Sequence, residues 1–288
     1  MKVRVLTDSG CGLTKEEAAK YHLDYLPLQV IVENKTYLDG IDLTTEQLYD
    51  LIDKGYLPQT SMPPLDMIEE LFDQYKKEGV TDVVAVTLSS GLSGTNQAIQ
   101  ASAKWHEIKV HTLDIYTTLS VEKYLAISAA KLNDKGYVPD EIIHRLQAVV
   151  EHSQGFLIPE DLNHLARGGR LTPMAAKLAG MLKIKPILEV SKNSEGKVGT
   201  CDKVRTMAKA ISKAAKLAAK GAKEAGDCVY FVLDSASEEN AKLCVEELQA
   251  LIGKDVKIER ESICSVIAAH TGLGSVAFQY CKKVKGAD

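Results

Sequence analysis

Several things this 288-residue chain lacks narrow the reading first. Its six cysteines (Cys11, Cys201, Cys228, Cys244, Cys264 and Cys281) never form a C-x-x-C pair. A chain of this length folds without staples, so free thiols in a reducing cytosol are expected rather than a disulfide or zinc framework. No apolar run approaches the roughly 18 residues of a membrane span. Charges at Lys2 and Arg4 interrupt the apolar N-terminus before a signal peptide's hydrophobic region could form. Charge of one sign is also missing. With 35 basic against 39 acidic residues the formal net charge is −4, which gives no electrostatic reason to expect nucleic acid as a partner. There is neither a Walker loop nor a G-x-G-x-x-G, so a nucleotide is not the preferred ligand. A cytoplasmic protein without metal or cofactor is the expectation.

What is present reads as alternating strand and helix. Residues 3–7 form a first strand, and Thr14-Lys15-Glu16-Glu17 is a capping box that opens a helix. Residues 26–32 are an apolar, β-branched run and 44–53 are helical, while Ser61 ahead of Pro63 and Pro64 reads as the N-cap of another helix. Residues 83–88 and 110–114 are continuous apolar strands of the buried, parallel kind. This pitch implies right-handed βαβ crossovers, hence an α/β fold whose N-terminal domain, 1–158, is Rossmann-like, a parallel sheet with flanking helices. The pattern then changes, and an α+β domain is expected over 159–288. It has short strands at 186–190 and 197–201, a long Lys/Ala helix from about 204, and strands at 229–233, 256–261 and 266–269 with helices on one side.

The most informative segment runs from Thr87 to Gln97, where a buried strand hands over to a helix. Gly91 and Gly94 let the backbone approach a ligand, Ser89, Ser90 and Ser93 supply hydroxyls, and the helix start offers free amides and the positive end of its dipole. Such a corner can hold an anion. The plainer reading is that Ser93 or Thr95 only caps the helix. Three further polar clusters stand at element ends: Gln59-Thr60-Ser61, Ala269-His270-Thr271-Gly272, and the stretch from Leu162 to Thr172 with Arg167 and Arg170 around Gly168-Gly169. Arginine suits a carboxylate or phosphate. Each cluster also has a structural alternative, as an N-cap, a satisfied core histidine or a helix C-terminus.

Taken in order, these segments resemble the DegV family of bacterial lipid-binding proteins over nearly the whole chain. The residues that carry the resemblance are Asp8-Ser9, Thr60-Ser61, Ser89 to Thr95, Leu165 with Gly168-Gly169-Arg170, Lys183 to Ile187, Lys203-Val204-Arg205-Thr206 and His270-Thr271-Gly272. The resemblance implies a two-domain fold with a lipid site between the domains. It further implies a buried long-chain fatty acid whose carboxylate meets Thr60, Ser61, Ser93, Gly94 and His270, with Arg170 in support. Leu28, Val30, Val32, Met174, Leu178, Met181, Leu182, Ile263, Val266 and Ile267 are candidates for the walls of an acyl tunnel. At about 0.8 kcal/mol per buried methylene, a chain of roughly sixteen carbons would contribute on the order of 10 kcal/mol before association costs. The sequence departs from the family at Met62-Pro63-Pro64, where glutamine-proline-serine is usual, and at Asp114-Ile115-Tyr116, where Asp-Ser-Lys is frequent. Leu165-Ala166-Arg167 replaces Leu-Lys-Lys but keeps a cation.

Lys209, Lys213, Lys216, Lys220 and Lys223 repeat at steps of four and three along one face of an otherwise alanine-rich helix. That face is either ordinary solvated surface or a docking surface for an acidic partner or a membrane. The resemblance implies that the chain performs no chemistry alone and presents its fatty acid to the ATP-dependent subunit of a fatty acid kinase, with Lys203 and Arg205 near the contact. Two rivals stand beside this. One is a carrier of another amphiphilic acid. The other is a serine hydrolase using Ser93 and His270 with Asp234 as the orienting acid, although the chain has no G-x-S-x-G elbow.

Overall fold

The computed structural model describes residues 2–181 and 184–288. In chain order the first part holds β1 (Val3–Asp8), α1 (Lys15–Lys20), β2 (Leu23–Leu26), β3 (Gln29–Val32), β4 (Lys35–Leu38), α2 (Thr45–Asp53), β5 (Gln59–Ser61), α3 (Leu65–Glu78), β6 (Asp82–Val86), α4 (Thr95–His106), β7 (Lys109–Thr112), α5 (Leu119–Asp134) and α6 (Pro139–Val150). The second holds β8 (Gln154–Ile158), α7 (Leu162–Arg167), α8 (Pro173–Ala176), β9 (Lys185–Val190), β10 (Val198–Val204), α9 (Met207–Ala225), β11 (Cys228–Asp234), α10 (Glu238–Ile252), β12 (Ile258–Ser262), α11 (Ser265–Thr271) and β13 (Val276–Lys282).

Three sheets result. The order β2-β1-β6-β7 is parallel throughout, as the buried apolar strands require, and β6 is buried along its whole length. A small antiparallel sheet β4-β3-β5 stands beside it. The six-stranded sheet β10-β9-β8-β13-β11-β12 is antiparallel except for its β11–β12 edge. The α/β architecture read from the sequence is therefore the one observed. Capping behaves as the sequence chemistry dictates: Thr14 accepts from the Glu17 amide while Glu17 accepts from the Thr14 amide, and Thr44 and Gln47 do the same for α2. One face of α9 buries Ala210, Ile211, Ala214, Ala218 and Ala222 against the large sheet, and its lysines are exposed. No helix among the described residues is long and apolar enough to cross a membrane.

Three local expectations are corrected. The run 26–32 is not one strand. It breaks at Pro27, whose missing N–H cannot join a ladder, and its halves enter two different sheets. Residues 266–269 are helical within α11, and the last strand is β13. A short apolar run fits a buried helix as well as a strand, and here Gly272, at φ 70°, ends the helix. Ser61 does not cap α3. It lies in β5, and α3 starts after Pro64 with no side-chain cap. β8 pairs with β9 and β13, so the chain has entered the second sheet by Gln154.

The apolar interior between the two large sheets is continuous. It runs from Val84 and Val86 through α5 and α6 to Leu157, Leu188 and Leu233, and includes the buried side of α11. The cavity described next lies in this layer.

Candidate functional site

Thr60, Ser61, Ser93, Gly94, Arg170 and His270 come from four distant stretches and line one cavity of about 340 Å³, within the range of roughly 300–1,000 Å³ for small-molecule pockets. Topology brings them there. β5 pairs with β3 so that Thr60 stands opposite Val30, and α11 packs on β3, β5 and α7, which brings His270 to Thr60. The Thr60 hydroxyl and His270 Nε2 are 2.6 Å apart. Thr60 and Ser61 are thus not helix caps, and Ser61 makes no side-chain hydrogen bond among the described residues.

At the α4 corner both sequence readings hold together. Ser93 Oγ accepts the Thr95 amide at 3.3 Å and lies 2.8 Å from the Thr95 hydroxyl, which is capping, yet Ser93 also faces the cavity. The Gly94 amide has no hydrogen-bond partner among the described residues and stands at the N-cap of a 12-residue helix. Arg170 is anchored by its own loop and by the turn before α4, Nη1 donating to the Gly168 carbonyl at 2.6 Å and Nε to the Leu92 carbonyl at 3.4 Å.

His270 sits against Gly168 so closely that a Cβ on that glycine would stand 2.3 Å from Nδ1. Burial, reinforced by the nearby Arg170 and His164, pushes the His270 imidazole down to about 4, so the ring is neutral at pH 7. A neutral imidazole protonated at Nε2 donates to the Thr60 oxygen and leaves the Thr60 proton free for an acceptor in the cavity. Ser93 and His270 do not pair: Ser93 is bonded to Thr95 and His270 to Thr60. Asp234 pairs with Arg260 and the Ser237 amide. The geometry lacks the nucleophile–base contact that the hydrolase reading needs.

The rest of the cavity is apolar. Leu28, Ile263, Val266 and Ile267 line it. Val30 and Val32 belong to the core instead, Val30 being wholly buried away from the cavity. Met174 and Met181 are exposed, at 70% and 47%, and Leu178 is half-buried, none of the three in the lining. α8 is a single turn, and the one side chain it buries is Ala175. Leu182 lies outside the described residues. Lys203 and Arg205 are exposed at the end of β10 and line no part of this cavity. The sequence reading missed Leu88, Leu92, Leu119, Phe156, Val190, Val198 and Ala277 in the wall, since an apolar residue facing a cavity has the same pattern as one facing a neighbour. Gln279 was detectable, an amide inside the apolar strand β13. It donates to the Thr118 carbonyl at 2.9 Å and accepts the Val121 amide at 3.2 Å.

A second, polar basin of about 370 Å³ shares Thr60, Arg170 and His270 with the first and adds Gln59, His164 and Arg167. These three shared residues therefore stand between an apolar chamber and a cationic one.

Fold and site together define a class: α/β proteins with two large sheets that enclose a largely apolar cavity with hydroxyl, amide and imidazole groups gathered where it meets a cationic basin. The chain belongs to the DegV family, whose model, described as that of an uncharacterised protein, matches residues 2–283. It is 31% identical over 286 residues to Protein DegV of Bacillus subtilis, covering 98% of this chain and all of that one. It is similar in structure to a fatty acid binding DegV family protein from Streptococcus agalactiae, with TM-score 0.88, 32% identity and coverage of 98% and 99% of the two chains. Against the structure described as DegV, a fatty acid binding protein from Bacillus subtilis, the values are TM-score 0.86, 30% identity and coverage of 98% and 100%.

Proposed function

We propose that this chain binds a long-chain fatty acid, carboxylate toward Thr60, Ser61, Ser93, Gly94, Arg170 and His270 and acyl chain along Leu28 and Ile267, and presents it in the cytoplasm to an ATP-dependent fatty acid kinase subunit. The observation that carries this is the division of the cavity wall. The head-group residues offer the Gly94 amide and the Ser61 hydroxyl, both unpaired among the described residues, and the Arg170 guanidinium, while Thr118 and Gln279, polar groups elsewhere in the wall, have partners in the protein. An ion buried without donors would cost several kcal/mol, and one met by amide, hydroxyl and guanidinium does not incur that penalty. The fatty acid binding described for the two structural relatives supports the same reading. Presentation is supported by the basin beyond Thr60, Arg170 and His270, which gives a partner's phosphate a cationic approach to the carboxyl group.

The test is organic extraction of purified protein followed by mass spectrometry. A stoichiometric monocarboxylic lipid is expected, and Ser93→Ala and His270→Ala should each retain less of it. Unchanged lipid in both variants would remove the assigned head-group site.

A further inference from the structure

The Asp8-Ser9 pair takes no part in the head-group site. It stands behind the apolar wall, at the end of β1. Asp8 is fully buried, Oδ1 accepting the Gly10 amide at 2.8 Å and Oδ2 the Leu88 amide at 3.2 Å. Glu122, in the first turn of α5, is also fully buried. Neither of its oxygens has a hydrogen-bond partner of ordinary geometry among the described residues. Gly10 lies between the two: a Cβ there would stand 2.9 Å from Asp8 Oδ1 and 3.0 Å from Glu122 Oε2. Both carboxyl groups thus converge on the same point beside Gly10.

Two carboxylates only accept, so they cannot bond; a carboxyl and a carboxylate can. We infer that Glu122 carries a proton that it donates to the Asp8 carboxylate, and that this pair positions the acyl part of the cavity. Burial pushes Glu122 well above the usual carboxylate range, with the Asp8 charge adding to it, and burial pushes Asp8 up to about 7. The other titratable groups near the pair are Asp39 before α2, Tyr25 in β2, Cys11 in the turn after β1, and Cys264 at the start of α11. No cation among the described residues acts on Glu122.

The link to the cavity is direct. Asp8 holds the Leu88 amide, the Ser9 hydroxyl accepts the Leu28 amide at 3.0 Å, and the Gly10 carbonyl accepts from the Thr118 hydroxyl at 3.0 Å. Leu28, Leu88 and Thr118 all line the cavity. One proton thus fixes the turn from which three wall residues are suspended. Both groups hold their protons more tightly folded than unfolded, so their contribution is complete at acid pH and declines as pH rises through 7.

The inference rests on the fatty-acid reading for its ligand arm only. The experiment compares wild type, Glu122→Gln and Glu122→Ala after lipid stripping, by thermal midpoint from about pH 5 to about pH 9 and by retention of added palmitate after desalting. Glutamine donates an N–H to Asp8 without titrating. Glu122→Gln should therefore keep wild-type palmitate retention and flatten the alkaline fall of the midpoint, while Glu122→Ala should lose palmitate several-fold. A Glu122→Gln midpoint profile that falls as the wild type's does, or wild-type retention in Glu122→Ala, overturns the inference. Wild-type protein that retains no palmitate sinks the fatty-acid reading, and the ligand-free profiles still decide the shared proton.

Discussion

Gly168→Ala is the sharpest probe of the head group, because the change is small and its target single. Gly168 has φ −69° and ψ −17°, a backbone any residue adopts, so alanine brings no backbone strain and stabilises by about 0.4–1 kcal/mol through the unfolded chain. What it adds is a methyl 2.3 Å from His270 Nδ1, 3.2 Å from Cγ and 3.3 Å from Cε1. The ring must turn or shift, and its 2.6 Å hydrogen bond to Thr60 is the contact that gives way. Overpacking of this kind costs about 1–3 kcal/mol. If that strain is relieved by surrendering the Thr60 contact, palmitate binding should weaken by roughly five- to 150-fold, at 1.4 kcal/mol per decade. The assay is displacement of a fluorescent fatty acid by palmitate on stripped protein, with the thermal midpoint as a fold control. His270→Ala removes the ring, so adding Gly168→Ala to it should cost nothing further, a coupling visible as a double-mutant cycle. Wild-type binding by Gly168→Ala, or simple additivity in the cycle, would refute the argument that His270 is held in place by the absent side chain.

Other expectations follow from the same geometry. Because His270 is depressed to about 4 in the folded protein against 6.5 in the free side chain, the unfolded state binds more protons between those values. Stability should fall as pH drops through that window, by at most about 3 kcal/mol, and His270→Ala should remove that part of the acid loss in a pH series of denaturant titrations. Ile267→Trp on α11 fills part of the acyl cavity and should shift the extracted lipid to shorter acids, at about 0.8 kcal/mol for each methylene excluded; an unchanged chain-length distribution in the mass spectrum would place Ile267 outside the tail's path. Charge reversal of the exposed Lys203 and Arg205 should slow acyl phosphate formation with a kinase subunit several-fold while leaving lipid content unchanged. Equal rates would move the docking surface elsewhere.

Much of the proposed head-group site was legible because polar residues at the ends of apolar elements are conspicuous. Thr60, Ser93, Arg170 and His270 each stood out against an apolar background, and the glycine-serine corner carried its own chemistry. The apolar wall of the cavity was not legible. Val30 and Leu28 lie two residues apart in the same apolar run, yet one faces the core and the other the cavity. Met174 and Met181 look like tunnel residues by type and are solvent-exposed. Glu122 drew no notice in the sequence, since an acid in the first turn of a helix is ordinary; burial against Asp8 is what makes it unusual.

The order of residues alone determined the α/β alternation, the capping boxes at Thr14 and Thr44, the parallel first sheet and the alanine seam of α9, since propensity, capping and period act over a few neighbours. Tertiary structure decided which strand each apolar residue faces, that β8 crosses to the second sheet, and that His270 meets Thr60 across 210 positions of chain. Those outcomes depend on the distance between packed layers and on which side chains leave room for others, quantities that come into being only when remote segments are brought together.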